Sequence, residues 1–230
     1  MININLLLKN NKLNLDLEPT VAKSYNEFIK ISDIPPAYVD HNIDLNKLPQ
    51  RVNTLNTHIY DIISNRYSYA FNVKNYSDTG KMTSLLLDTY FTQCVINEVT
   101  PEKVLYVDTN LILEDYKKLM DVTGNNSDYE MSLAHNLVTL TKNVENVPYV
   151  FWDKFSIVCS TYEKQKLYNI LLIRLRRGLG NIFYIKNAPK VMSSFADDEI
   201  TTVMNIDQLV NFDKQDLVFL NNTKDGGMLW

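Results

Sequence analysis

The sequence predicts an α/β fold in which a parallel five-stranded sheet is flanked by helices and preceded by a short amino-terminal β-hairpin. Short apolar segments that suit β-strands alternate along the chain with longer segments whose apolar residues recur at helical spacing. Parallel strands need long crossover connections, and the helical segments supply them. The length of 230 residues and the hydrophobic content of 45% allow one good core, near the upper size limit of a single domain. We therefore expect one main domain with appendages.

The amino-terminal region is predicted to form a hairpin followed by a short helix. Apolar residues alternate with Asn and Asp over residues 2–8 and 13–17, on both sides of the polar stretch 9–12, and this period is typical of a hairpin. Pro35 and Pro36 remove two backbone donors and restrict the residues before them, so they mark an extended boundary. The expected organisation is an appendage at residues 1–31, a main domain at residues 32–220 and a carboxyl-terminal tail at residues 221–230.

Helices and strands alternate through the main domain. The predicted helices are residues 48–65, 81–95, 111–120, 129–141 and 162–177. The predicted strands are residues 67–73, 104–107, 148–152, 182–185 and 217–220. The carboxyl ends of parallel strands meet at one edge of a sheet, and ligands bind at that edge in open α/β folds. Polar residues at the strand ends are thus the candidates for a functional site.

Composition and charge exclude several classes of protein. A net charge of -4 and a pI near 5.4 leave no overall positive field, so contact with DNA needs a local basic patch. No apolar stretch approaches the roughly 20 residues that span a bilayer, and the amino terminus lacks the basic region of a signal peptide, so we expect a cytoplasmic protein that does not bind membranes. Cys94 and Cys159 lie in apolar runs, which favours buried thiols over a disulfide. The three histidines have no metal-binding spacing with the cysteines.

The connection between the first strand and the second helix of the main domain has the position of a phosphate-binding loop. Such loops hold an anion with consecutive backbone N–H groups, the helix dipole and one lysine. The candidate nucleotide-binding residues are Ser77, Asp78, Thr79, Gly80, Lys81, Met82 and Thr83. The complete motif has Gly at its first position and Ser or Thr after the lysine, where this chain has Asn75 and Met82. A plain strand-turn-helix connection is the structural alternative.

Two further polar residues follow predicted strands. Asp153 ends the third strand, where P-loop proteins have the aspartate that orders Mg²⁺. Lys154 stands at the next position, where a carboxylate that polarises the attacking water is expected. Asn187 follows the fourth strand and is positioned to contact a phosphate or a water. Asp153 and Asn187 are thus candidate catalytic residues, and Thr83 and Asp153 are candidate metal ligands. A role in a turn or a cap is the alternative for Asp153 and Asn187.

One dense group of basic residues lies in and directly after the predicted helix at residues 162–177. Its members are Lys164, Lys166, Arg174, Arg176 and Arg177. Binding of nucleic acid through phosphate contacts is the functional interpretation. Cations near the carboxyl end of a helix are favourable in themselves, so a solvated helix face is the structural alternative.

The order of these features resembles the ATPase domain of DnaC/DnaI-type replicative helicase loaders, which has a P-loop fold of the AAA+ and RecA-like kind. Ile34-Pro35-Pro36-Ala37-Tyr38 resembles the Ile-Pro-x-x-Tyr segment at the entry to that domain. The following features then occur in the order of the family: the helix at 48–65, the loop at 75–83, Val104-Leu105-Tyr106-Val107 before an amphipathic helix, Asp153, the helix containing Tyr168 and the strand ending at Asn187. The resemblance covers residues 32–190.

The resemblance implies a cofactor, residue roles and partners. The implied cofactor is ATP or ADP with Mg²⁺. Lys81 would hold the phosphates, Thr83 or Met82 would face the metal, Asp153 would help bind Mg²⁺ and Asn187 would sense the terminal phosphate. The family further implies self-association, binding to a DnaB-type hexameric helicase and contact with single-stranded DNA.

Departures from the family pattern predict that nucleotide hydrolysis is weak or absent. No arginine follows Asn187, so the arginine finger that such ATPases project into a neighbouring site is missing from its expected region. Asn75, Met82 and Lys154 replace three further functional groups. We therefore expect a replication adaptor with the shape of a helicase loader, and the divergence favours a phage or another mobile genome as its source. Two alternatives stay open: a decoy inhibitor that captures a host helicase or helicase loader, and an active ATPase with an atypical loop.

Overall fold

The computed structural model of the chain describes residues 8–9, 12–13, 19–35, 48–74, 76, 79–121, 128–156, 161–187 and 199–211. The helices are α1 (Pro19–Ile31), α2 (Gln50–Ser64), α3 (Thr79–Ile96), α4 (Thr109–Asp121), α5 (Asp128–Asn146), α6 (Thr161–Arg176) and α7 (Glu199–Met204). The strands are β1 (Leu8–Lys9), β2 (Lys12–Leu13), β3 (Tyr69–Val73), β4 (Val104–Asp108), β5 (Tyr149–Phe155), β6 (Gly180–Lys186) and β7 (Gln208–Asn211).

Strands β3 to β7 form one parallel sheet in the order β4-β5-β6-β3-β7. The central strands β3, β5 and β6 are rich in apolar residues and are buried along most of their length. Such strands are typical of a parallel sheet that is covered by helices on both faces. The predicted α/β fold with a five-stranded parallel sheet flanked by helices is therefore confirmed.

Two hydrophobic clusters cover the two faces of the sheet. One cluster joins α1, α2 and α3 to sheet residues that include Phe71, Phe151 and Tyr184. The other joins α4, α5, α6 and α7 to sheet residues that include Trp152 and Phe183. Successive side chains of a strand point to opposite faces, which is why the neighbours Phe151 and Trp152 belong to different clusters.

The fifth strand of the described sheet is β7, and the predicted strand at residues 217–220 stays a prediction. That predicted strand lies outside the described residues, and the chain adds residues 208–211 to the edge of β3. Only two apolar residues, Leu209 and Val210, lie between the polar ends of β7. A segment this short has no clear period, so its sequence pattern does not predict a strand.

The amino-terminal hairpin is present, and the helix after it packs into the core. β1 and β2 pair antiparallel, with Leu8 opposite Leu13, while the remaining predicted arms lie outside the described residues. Tyr25 and Phe28 of α1 belong to the cluster that includes α2 and α3. The Tyr25 ring meets the Phe91 ring of α3 edge-on at 5.3 Å. The predicted appendage thus shares a core with the main domain, and the domain boundaries stay a prediction.

The expectations about membrane spans, cysteines and histidines are compared here with the described residues only. In the ranges that the structure describes, no helix is long and apolar enough to cross a membrane. Cys94 is a buried free thiol, and burial raises its pKa to about 11. Cys159 and His41 lie outside the described residues.

Candidate nucleotide site

The predicted phosphate loop leads into the first turn of α3. Thr79, Gly80 and Lys81 are the first three residues of that helix, so Gly80 and Lys81 lie at its amino end and not in its middle. The carboxyl end of β5 lies beside this turn, because the Thr79 side chain hydrogen bonds to Asp153. Ser77 and Asp78, also predicted to bind nucleotide, lie outside the described residues.

The carboxylate of Asp153 is surrounded by hydrogen-bond donors from its own chain. Its Oδ1 accepts from the Thr79 hydroxyl at 2.6 Å and from the Lys154 backbone N–H at 2.9 Å. Its Oδ2 accepts from the Tyr106 hydroxyl at 2.5 Å. Only 2% of Asp153 is exposed. The residue predicted to order Mg²⁺ lies at the predicted place, but both of its oxygens are already paired with protein donors.

The environment of Asp153 also disfavours its ionised form. Burial raises the pKa of Asp153 above its ordinary value, and this effect exceeds the lowering by the hydrogen bonds from Thr79, Tyr106 and the Lys154 backbone. The neighbouring carboxylate of Asp108 raises that pKa further. Divalent cations bind the deprotonated carboxylate, so a raised pKa weakens Asp153 as a magnesium ligand.

Met82 and Thr83 are the two candidates for the metal-facing position, and both side chains are engaged in contacts within the protein. Met82 is 1% exposed and belongs to the hydrophobic cluster that includes α3. The buried Thr83 hydroxyl donates to the Thr79 carbonyl at 2.9 Å and lies 2.7 Å from the Tyr184 hydroxyl. Lys81, in the same turn, is 7% exposed. The Thr83 hydroxyl is thus held by a tyrosine of β6 and by its own helix.

Lys154 stands where a second carboxylate is expected and forms an ion pair with Asp108. Asp108 ends β4 and is the register partner of Asp153 in β5. The Lys154 ammonium lies 2.5 Å from Asp108 Oδ2. Lys154 has a left-handed backbone with φ of 50°, next to an irregularity in the pairing of β5. That conformation costs roughly 1–2 kcal/mol in a residue with a Cβ.

Asn187, the second candidate catalytic residue, is exposed directly after β6. Its φ of 57° is left-handed, a conformation that asparagine tolerates better than most residues. The preceding residue, Lys186, donates its backbone N–H to the Tyr76 hydroxyl at 3.0 Å. The structure therefore places Asn187 at the same edge of the sheet as the loop, and its phosphate-sensing role stays a prediction.

Taken together, the residues at this edge do not fit a magnesium-bound nucleotide. Mg²⁺ requires near-octahedral oxygen coordination and usually binds one or two carboxylates together with phosphate oxygens. Here both oxygens of Asp153 have protein partners, Met82 replaces the hydroxyl ligand, and a lysine neutralises Asp108. No group of three or more His, Cys, Asp or Glu side chains is arranged to hold a metal ion in the described part of the chain.

Comparison with solved structures connects this fold to helicase loaders. The crystal structure of the DnaC helicase loader matches 78% of this chain and 100% of its own length, with a TM-score of 0.54 and 14% sequence identity. The chain shares the fold of the DnaC helicase loader. The crystal structure of DnaI matches 80% of this chain and 94% of its own length, with a TM-score of 0.49 and 10% identity. No protein-family model and no curated protein matches the chain. The predicted resemblance is confirmed at the level of the fold.

Three tyrosines complete the site in this DnaC-like fold, and sequence reasoning misses them. Tyr106 bonds to Asp153, Tyr184 pairs with Thr83, and Tyr76 contacts the ends of β5 and β6. A signal exists for two of them, since Tyr106 and Tyr184 each interrupt an apolar strand two residues before its end. A buried tyrosine hydroxyl needs a polar partner, so such positions indicate a buried polar network.

Arg174 lies in the interior, and this corrects the prediction that it contacts nucleic acid. Its Nε donates to Asn181 Oδ1 at 2.7 Å, and its Nη1 donates to the carbonyls of Val144 at 2.5 Å and Val147 at 2.9 Å. Its Nη2 donates to the Gly180 carbonyl at 2.5 Å. Burial lowers the pKa of Arg174 to about 9, so the guanidinium remains charged at neutral pH. The side chain is 0% exposed, and nucleic acid cannot reach it.

The four other predicted nucleic-acid residues lie at two ends of α6. Lys164 and Lys166 are in its first turns, whereas Arg176 and Arg177 are about 15 Å away at its carboxyl end. The Lys166 ammonium lies 5.1 and 5.4 Å from two tyrosine ring centroids. Arg177 donates to a backbone carbonyl of α5 at 3.0 Å. These cations do not form one patch, and their contact with nucleic acid stays a prediction.

Proposed function

We propose that this chain is a replication adaptor of the helicase-loader type. It binds a DnaB-type hexameric helicase and assists the placement of that helicase on single-stranded DNA, with weak or no ATP hydrolysis. The DnaC-like fold supports the choice of partner. A fold by itself hosts many functions, so the chemistry is inferred from the site.

The hydrogen bonding of Asp153 is the observation on which the loss of hydrolysis rests. Donors from Thr79, Tyr106 and the Lys154 backbone fill three of the roughly four lone-pair positions of this carboxylate, so Mg²⁺ competes with them. A hydrogen bond to a charged group contributes about 1.5–3 kcal/mol, so displacing one donor costs about that much. Because 1.4 kcal/mol corresponds to a factor of ten in affinity, metal binding that displaces one donor is weakened about 10–10²-fold.

The residue after Asp153 gives independent support. Hydrolysis of a nucleotide needs a group that orients or activates the attacking water. Lys154 is engaged with Asp108, and its ammonium group donates hydrogen bonds but accepts none. It therefore cannot take a proton from water at neutral pH. Hydrolysis would be slow even with a nucleotide bound.

The proposal includes self-association and contact with single-stranded DNA, as the loader family implies. Of the five basic residues predicted to contact DNA, the four outside the core are the ones to consider: Lys164, Lys166, Arg176 and Arg177. The two ends of α6 provide separate positive charges, so one chain contacts DNA at few phosphates. Several copies around one strand would add such contacts. Origin in a phage or another mobile genome belongs to the same proposal.

ATP hydrolysis with and without single-stranded DNA tests the chemical part of the proposal. We expect no turnover above that of Lys81→Ala. Lys103→Ala is the matched control, because Lys103 is an exposed lysine just before β4, at the opposite edge of the sheet. Turnover that Lys81→Ala abolishes and Lys103→Ala preserves would favour the active-ATPase alternative instead.

Capture of a purified DnaB-type helicase, followed by an unwinding assay, tests the partner. A loader increases the rate at which the helicase begins to unwind a duplex that carries a single-stranded tail. A decoy binds the helicase and lowers that rate, and this result would favour the inhibitor hypothesis over the adaptor hypothesis. Absence of helicase binding would contradict both the adaptor and the inhibitor hypotheses.

A further inference from the structure

Tyr76 joins three elements at the carboxyl edge of the sheet. It lies between β3 and α3, and its carbonyl lies 2.8 Å from the Thr79 hydroxyl, whose one hydrogen it shares with Asp153. Its own hydroxyl donates to the Phe155 carbonyl at 3.3 Å and accepts from the Lys186 N–H at 3.0 Å. Phe155 is the register partner of Ile185, so the two contacts fall on adjacent strands at nearly the same level.

One residue thus bridges the start of α3, through its carbonyl, and the ends of β5 and β6, through its hydroxyl. In open α/β folds a bound ligand lies at this edge of the sheet, outside the carboxyl ends of the strands. Here the polar contacts between these elements are made by a residue of the chain itself. Tyr76 is half-buried, and burial raises the pKa of its hydroxyl, so it remains a neutral phenol that can both donate and accept.

Two other tyrosine hydroxyls strengthen the same connection. Tyr184 of β6 pairs with Thr83 of α3 at 2.7 Å, and Tyr106 of β4 donates to Asp153. Asp153 in turn accepts from Thr79 at the start of α3. The start of α3 is therefore tied to β4, β5 and β6 through these protein groups.

We infer that Tyr76 is an internal substitute for a bound ligand, which fixes the start of α3 against β5 and β6. This inference rests on the proposed function and adds that nucleotide does not regulate binding of the helicase. A bound nucleotide acts as a switch by stabilising one of two conformations while it is present. A tyrosine of the chain is always present, so it maintains a single conformation at every nucleotide concentration.

A comparison of Tyr76→Phe with the unaltered chain tests the bridge. Phenylalanine keeps the ring and removes both hydrogen bonds of the hydroxyl. We expect Tm to fall by about 2–4 °C. The Lys186 amide should exchange with deuterium roughly five to ten times faster, because it loses its acceptor. Tyr168→Phe is the control, since Tyr168 is also half-buried and its hydroxyl has no hydrogen bond among the described residues; it should leave the Lys186 exchange rate unchanged.

Addition of nucleotide to the unaltered chain provides the second measurement. Millimolar MgATP, MgADP or inorganic pyrophosphate should change neither Tm nor the affinity for the helicase. A ligand present at 100 times its Kd would raise Tm by about 5–10 °C. Such a rise, or an unchanged Lys186 exchange rate in Tyr76→Phe, would overturn the inference. Failure of the proposed function looks different, because the helicase is then not captured under any condition while the Tm and exchange results stand.

Discussion

A buried arginine lies at one edge of the sheet and a buried aspartate at the other, and the two side chains are satisfied in opposite ways. At the amino edge, Arg174 donates to three backbone carbonyls and one amide side chain. At the carboxyl edge, Asp153 accepts from one backbone N–H and from the hydroxyls of Thr79 and Tyr106. Backbone carbonyls are available in any sequence, whereas the two hydroxyls depend on particular side chains. The comparison indicates that Arg174 stabilises the fold, while the arrangement around Asp153 belongs to the site of this chain.

The largest effect is expected from Arg174→Met, which tests the structural side of the comparison. The change removes the Arg174 donors from three buried backbone carbonyls and from Asn181 Oδ1, which keeps only the Trp152 indole N–H. We expect a loss of about 3–5 kcal/mol in the free energy of unfolding, measured by urea denaturation. Arg176→Met, at an exposed position of the same helix, should change that free energy by less than about 0.5 kcal/mol. Small losses of similar size in both variants would indicate that Arg174 is an exposed cation like Arg176.

Tyr106→Phe tests the side-chain donors around Asp153. We expect a loss of about 1.5–3 kcal/mol in the free energy of unfolding, because the hydrogen bond goes to a charged acceptor. The control is Tyr116→Phe, whose hydroxyl pairs at 2.7 Å with the neutral Thr141 and should cost about 1 kcal/mol. Urea denaturation of both variants gives the comparison. Equal losses would indicate that Asp153 is protonated in the folded protein.

A smaller effect is expected from the backbone of Lys154. Lys154→Ala and Lys154→Gly both remove the partly exposed ion pair with Asp108, and such pairs contribute at most about 1 kcal/mol. Glycine also relieves the left-handed φ of 50°, so the glycine variant should be more stable than the alanine variant by about 1 kcal/mol. Thermal unfolding of the two proteins measures the difference. A less stable glycine variant would contradict the inferred strain.

The pH dependence of stability provides the last test of Asp153. Its pKa is raised in the folded state, chiefly by burial, so the folded protein binds this proton more tightly than the unfolded chain does. The free energy of unfolding should therefore decrease as the pH rises from the unfolded pKa of roughly 3.9 through the higher folded pKa. Asp153→Asn removes this contribution. If the profiles of Tm against pH had the same slope in both proteins, Asp153 would not have a raised pKa in the folded state.

The fold is predictable from the sequence because its signals are local. The apolar strand at Tyr149–Phe155 and the buried helix α3 each contain enough residues to show a pattern. The position of Asp153 near the carboxyl end of β5 also follows from local signals, since it comes directly after the apolar run that ends at Trp152. β7 is not predicted, because four residues with two apolar members show no period.

The partners of the site residues are not predictable in the same way. Tyr106 and Asp153 are 47 residues apart in sequence, and their contact depends on the order of the strands in the sheet. Arg174 shows the same limit: by its spacing it belongs with Arg177 on one helix face, yet only Arg174 is buried. Tertiary packing buries Arg174 and leaves Arg177 exposed, and the local sequence pattern contains no signal for this difference.

Helix α3 connects the amino-terminal region to the strand ends. In its middle, Asp88 accepts a hydrogen bond from Tyr25 of α1, and at its start Thr79 and Thr83 hold Asp153 and Tyr184. A helix is stiff over such a distance, about 13 Å from residue 79 to residue 88. A molecule that shifts α1 therefore also shifts these two threonines. Coupling of this kind is reciprocal. The affinity of a partner for the amino-terminal region therefore depends on the strand-end contacts, and binding of that partner changes the strength of those contacts.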